Sequence, residues 1–144
     1  MRPGRRTPHA RTESGASALE LSFLAPGLIF LIFLVIQAGL FFYGRTVAIQ
    51  AAREGVSQLR LAQTRDVYDD IRRDVKRNTE SYALSVGREA LLSPVATSSY
   101  DEGAGRVTMD VQGEVITLVP GLQLRATAHA EGAVERFEPD QAAP

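Results

Sequence analysis

Few side chains in this chain could do chemistry, and their spacing does not suit catalysis. The two histidines, His9 and His129, lie on either side of the longest apolar run and cannot share a site. There is no cysteine, which excludes disulfides and thiolate metal sites. Asp66, Asp69, Asp70 and Asp74 suggest a cation site at first sight, but Arg72, Arg73, Lys76 and Arg77 are interleaved with them. That pattern reads as a solvated, ion-paired helix face. No nucleophile elbow, metal-ligand spacing or phosphate-binding glycine loop occurs. Neither enzymatic activity, metal nor cofactor is expected. What remains is Glu20, a single carboxylate at the head of an apolar stretch, with Ser17 and Ser22 beside it and no base nearby in sequence.

The apolar stretch must position that carboxylate. Leu21 to Tyr43 is 23 residues without a charge. As a helix it reaches roughly 35 Å, enough to cross a hydrocarbon core of about 30 Å with some tilt. Its fifteen Leu, Ile, Phe and Val residues favour insertion by roughly 4.5 to 9 kcal/mol in sum. Glu20 opposes this by about 3 kcal/mol at mid-membrane and by less at the edge of the span, where it stands. Insertion wins. A 144-residue chain has too little other apolar surface to wrap such a helix on every side.

Charge orients the span. Residues 1–15 carry four arginines against Glu13 alone, a local charge of +3. Residues 66–144 carry eight basic against fourteen acidic residues, a local charge of −6. The positive-inside bias keeps the N-terminus in the cytoplasm and puts the C-terminal part outside the cell membrane, in a single pass. The acidic distal part does not suit a nucleic-acid partner. The partner implied by composition is membrane lipid.

The segment differs from a secretory signal. Its core exceeds 7–15 residues, and no small-x-small site follows it at Tyr43-Gly44-Arg45-Thr46. The small residues come before the core, at Ser14, Gly15, Ala16, Ser17 and Ala18. That places a cut on the cytoplasmic side and leaves the helix on the mature chain. Gly15-Ala16-Ser17-Ala18-Leu19-Glu20 resembles the prepilin-type leader. The stretch from Gly15 to Gly55, with early Pro26 and then Ala51-Ala52-Arg53-Glu54-Gly55, is similar to the TadE-like family of pseudopilins of tight-adherence pilus systems.

The resemblance implies cleavage by a prepilin peptidase between Gly15 and Ala16. Ala16 becomes the new N-terminus and Glu20 its fifth residue. It further implies assembly with other pilin or pseudopilin subunits and with pilus assembly membrane proteins, in a pilus or a related secretion apparatus. Leu21, where the major pilins of these systems usually have tyrosine, and Ala16, where classical type IV pilins have phenylalanine, point to a minor subunit. A carboxylate entering a bilayer needs a partner, and the new ammonium supplies one. Glu20 also suits a helix N-terminus by the macrodipole alone. The alternative function is an unprocessed single-span protein with an extracytoplasmic binding domain.

The remaining residues fill in an α+β, membrane-anchored, pilin-like fold. Residues 1–15 are a basic leader, disordered to Ser14, and 16–44 the transmembrane helix. Pro26 loosens its first turns by freeing the Ser22 carbonyl. Gly39 permits close helix approach, and Tyr43 is an interfacial anchor. Gln37 is a lone polar residue, either bonded to a partner helix or simply tolerated. Residues 45–92 are a helical stalk with apolar faces at Val47, Ala48, Ala51, Ala52, Val56, Leu59 and Ala62, and then at Val67, Ile71, Val75, Tyr82, Val86 and Ala90. The pattern fits one rod or two helices broken near Thr64 to Asp66. Pro94 is expected to end the helix. Period-two alternation then predicts a small antiparallel sheet over 93–138. Its strands are an edge strand at Val95–Tyr100, one through Val107, Met109 and Val111, one at Val115–Val119 after Gly113, and one from Leu122 to Ala130 after a Pro120-Gly121 turn. Residues 139–144 are a tail.

Overall fold

The computed structural model describes residues 13–119 and 121–135. The element order is α1 (Glu13–Leu59), α2 (Arg65–Gly87), β1 (Leu92–Asp101), β2 (Arg106–Val115) and β3 (Leu124–Ala133). This is the expected α+β class: a long N-terminal apolar helix, a second helix and a small antiparallel sheet. The chain divides into two compact units at Ile36/Gln37. The expected disordered tail and His9 fall outside the described residues, except Glu13 and Ser14, which open α1. The expected C-terminal tail also lies outside them.

In the first unit α1 is apolar on all sides and continuous through Pro26. Large side chains from Leu19 to Ile36 stand exposed. In the second unit the same helix becomes one-sided. Val47, Ala48, Ala51, Ala52, Val56 and Leu59 are buried, while Arg45, Arg53 and Glu54 face out. The change follows from composition, because charge returns at Arg45 and small residues then recur at helical spacing.

The stalk is two helices. Thr64 caps α2, its hydroxyl accepting from the Val67 N–H at 3.4 Å, and Asp66 adds favourable charge to the first turn. The reversal before it is tied to the end of the sheet. Arg60 Nε donates to the Ala133 carbonyl at 2.9 Å, and the Glu135 N–H donates to the Arg60 carbonyl at 3.0 Å. The buried stripe of α2 is Tyr68, Val75, Thr79, Ala83 and Gly87. Val67 and Tyr82, expected inside, are exposed. Toward its C-terminal end the stripe narrows to Thr79, Ala83 and Gly87 where the helices are close: a Cβ on Gly87 would stand 3.0 Å from a Val47 methyl.

The sheet order is β1-β2-β3, all antiparallel. On β2, Val107, Met109, Val111, Gly113 and Val115 face the core and the alternate residues face solvent. Three expectations are corrected. First, α2 ends at Gly87, followed by Arg88 at φ 47, well before Pro94. Pro94 lies buried in β1, where the register shifts between Leu92 and Val95. A bulge on an edge strand is a place where a missing N–H is tolerated. Second, Gly113 does not separate strands but lies inside β2. A Cβ there would meet the Leu91 side chain at 2.7 Å, so the glycine makes room for fully buried Leu91. Third, Val115 is the last residue of β2, and 116–119 is a connection rather than a strand. The turn at Gly121 stands as expected: φ is +82 and the Leu122 N–H is 3.2 Å from the Val119 carbonyl.

Two glycines of α1 give opposite expectations. A Cβ on Gly44 would lie 2.8 Å from the backbone oxygen of Ala90, whereas one on Gly39 meets nothing within 4 Å. Alanine gains about 1 kcal/mol over glycine within a helix. Overpacking against backbone costs about 1–3 kcal/mol. Gly44→Ala should therefore lower the melting temperature of the detergent-solubilised chain, and Gly39→Ala should hold or raise it. Equal behaviour of the two in circular-dichroism melts contradicts the packing described.

Candidate functional site: the head of the span and its junction with the folded domain

The residues singled out from sequence all lie on α1, in two groups. Gly15 and Ala16 fall in its first turn, which begins at Glu13. Glu20 is one turn further on and exposed, with no ion-pair partner among the described residues. Leu21 beside it is 67 % exposed. Pro26 follows within the same unbroken helix. These side chains form the head of a rod whose apolar surface has no cover within its own unit.

The second group marks the junction. Gly39 is exposed with open space around it. Tyr43 is exposed, and its hydroxyl donates to the Val86 carbonyl at 3.3 Å, which joins α1 to α2. The decisive residue is Gln37. It is buried, its Nε2 donates to the Ile116 carbonyl at 3.2 Å, and its Oε1 accepts from the Leu118 N–H at 2.8 Å. One side-chain amide thus satisfies a carbonyl and an N–H of the β2–β3 connection. Sequence reasoning found Gln37 as an isolated polar residue and missed its partner. The only signal was that an amide in an apolar run must be satisfied by something.

The remaining polar candidates of the stalk and sheet lie in the second unit. Asp69 pairs with Arg65 and Arg72, and Asp74 with Arg77, all at helical spacing on an exposed face. Among the described residues no group of three or more metal-ligating side chains occurs. His129 Nδ1 is 2.7 Å from Asp110 Oδ1 on the solvent face of the sheet. Arg65, read from sequence only as an off-face charge, lies 5.9 Å from the ring centres of both Tyr68 and Tyr100. The Tyr68 hydroxyl bonds Ser98 at 2.9 Å. This cluster fastens the start of α2 to β1.

Replacing Gln37 by leucine leaves the Ile116 carbonyl and the Leu118 N–H without partners, at a cost of about 1–3 kcal/mol. Hydrogen exchange should show the Leu118 amide of Gln37→Leu losing protection while the Met109 amide keeps its own. Unchanged exchange at Leu118 means that the amide bridge does not hold the connection.

Among the described residues one helix is long and apolar enough to cross a membrane, beginning at Ala18. Neither a curated protein nor a solved structure matches the chain. The model of the TadE-like protein family matches residues 15–57, under a third of the chain. The matched segment opens at Gly15, contains the whole apolar run and ends within the buried small-residue face of α1. Through residues 15–57 the chain thus matches the TadE-like protein family, which its leader and helix resemble on residue types alone.

Proposed function

We propose that this chain is a membrane-anchored, non-enzymatic minor pseudopilin. It is cut by a prepilin peptidase between Gly15 and Ala16 and takes part in assembling a tight-adherence type pilus or a related secretion apparatus. The observation that carries this reading is the family match, which starts at the glycine of the proposed cut and runs through the span. The exposed apolar surface from Leu19 to Ile36 supports it. Such a surface needs lipid or neighbouring helices around it.

The mechanism is one of position. The basic leader holds the N-terminus in the cytoplasm, and the C-terminal domain lies outside. Cleavage creates an ammonium on Ala16, one helical turn before Glu20. That amine, or a neighbouring subunit's, neutralises Glu20 where the helix meets the low-dielectric layer. An uncompensated carboxylate there is costly, so the pairing fixes register between helices more than it adds stability. Gly39 lets neighbouring backbones approach. The partners are membrane lipid, the peptidase, other pilin-like subunits and pilus assembly membrane proteins. No nucleic acid is involved.

The test is the N-terminal sequence and intact mass of the membrane-extracted protein, from cells with an active prepilin peptidase. The expected mature chain starts at Ala16. Glu20→Ala should leave the span inserted but reduce processing or recovery with pilus subunits. An intact leader in the presence of that peptidase overturns the reading.

A further inference from the structure

We propose that the free edge of β3 pairs with the same edge of a second copy of this chain, antiparallel and centred on Ala128. The inference concerns the second unit alone and does not depend on cleavage of the leader. The two edges of the sheet are built differently. A strand edge is a row of unpaired N–H and C=O groups, and folded proteins blunt it with proline, a bulge or a covering element. β1 has all three: Pro94, the register shift between Leu92 and Val95, and α2 alongside. Glu80 Oε1 accepts from the Ala96 N–H at 2.9 Å, and Arg65 Nη1 donates to the Tyr100 carbonyl at 3.4 Å. β3 has no proline and keeps its register with β2 from Leu124 to Ala133.

The ladder tells which groups β3 leaves free. The Val134 N–H donates to the Gly105 carbonyl at 2.9 Å, one step beyond the pair of Arg106 and Ala133. In an antiparallel ladder alternate residues turn their N–H and C=O to the partner strand. The even-numbered residues of β3 therefore face β2. Arg125, Thr127, His129 and Glu131 turn their backbone groups to the open edge. The next groups along that edge, the Ala133 carbonyl and the Glu135 N–H, are taken by Arg60. Among the described residues nothing meets the backbone groups of Arg125, Thr127, His129 and Glu131 on that side. Arg60 closes one end of the open stretch, and its midpoint is Ala128.

A second β3 laid antiparallel about that midpoint uses every free group, Arg125 with Glu131 and Thr127 with His129. The side chains agree with this register. Arg125 comes opposite Glu131 of the second copy, and two-fold symmetry repeats the contact. Within one chain Arg125 is 3.9 Å from Glu114, and Glu131 is 3.1 Å from Arg106. Pairing therefore makes a row of alternating sign: Glu114 and Arg125, then Glu131 and Arg106 of the second copy. On the core face Ala126 comes opposite Ala130, and Ala128 opposite its own counterpart, so no large side chain blocks the approach. A shift by two residues in either direction loses the charge match and leaves free groups unused.

The chain has no cysteine, so a single introduced thiol reports on one position. The full chain is reconstituted in phosphatidylcholine vesicles as Ala128→Cys, or as Thr97→Cys on the exposed sheet face for reference. Both are oxidised with copper phenanthroline. Facing residues of a non-hydrogen-bonded antiparallel pair have Cα atoms about 4.5 Å apart, within disulfide reach. The expected result is a covalent dimer that forms several-fold faster with Ala128→Cys than with Thr97→Cys. Equal rates overturn the proposal. Arg125→Glu in the Ala128→Cys chain should slow cross-linking roughly tenfold, because it sets like charges opposite each other at two places. Adding Glu131→Arg should restore the rate. The double reversal still breaks the ion pairs within each chain, so recovery reports the contact between copies. No slowing, or slowing without recovery, overturns the proposal. Cross-linking of Ala128→Cys in cells to a different protein instead of to itself gives the edge another occupant and overturns it as well.

Discussion

The structure depends on the close approach of α1 to the rest of the domain. Between Gly44 and Leu59 its inner face is built from glycine, alanine and valine, with leucine only at the end. Gly55 shows how tight the approach is. A Cβ there would stand 2.7 Å from both the Met109 side chain and the Thr79 hydroxyl, so β2 and α2 meet at that spot. Gly132 does the same for β3, beside Val56 and Arg60. At this spacing a small volume change displaces a neighbour, because protein interiors have little free volume. The domain therefore has no separate core of its own. It folds on the continuation of the helix that precedes it.

This arrangement assigns two duties to one helix. From Leu19 to Ile36 the helix presents large aliphatic and aromatic side chains outward, suited to lipid or to neighbouring spans. From Gly44 onward its inner face shrinks to small residues, and from Arg45 its outer face carries charge. Gln37 precedes this change and uses a buried polar group to specify geometry. A leucine there would bury as well but could not set the level of the β2–β3 connection. Arg60 does the corresponding work at the far end, bonding Ala133 and pairing with Glu135 at 3.3 Å. Together the two residues clamp the sheet to the helix at both ends.

The proposed function draws on the same division. An assembly subunit needs a rod that packs laterally and a folded domain that follows it in the chain. The polar contacts between elements, Tyr43 to Val86 and Glu80 Oε1 to the Ala96 N–H at 2.9 Å, hold the domain as a unit. The family match covers the rod and stops short of α2 and the sheet. The rod is thus the part the chain shares with that family.

The sequence alone determined what depends on composition and period. The apolar run, the helical face from Val47 to Leu59 and the alternating strand through Val107, Met109 and Val111 were legible because each is a local pattern with one physical solution. The Gly121 turn was legible for the same reason. The tertiary structure decided what depends on partners distant in the chain. Pro94 sits in a strand because a bulge at the sheet edge takes up its missing N–H. Gly113 sits in mid-strand because Leu91 needs the space. Residues 116–119 left the sheet for a connection whose backbone a helix side chain satisfies. α2 left Val67 and Tyr82 exposed and buried Thr79, Ala83 and Gly87, where α1 lies close. In each case the local signal was real. It was overridden by a steric or hydrogen-bonding demand from an element that periodicity cannot see.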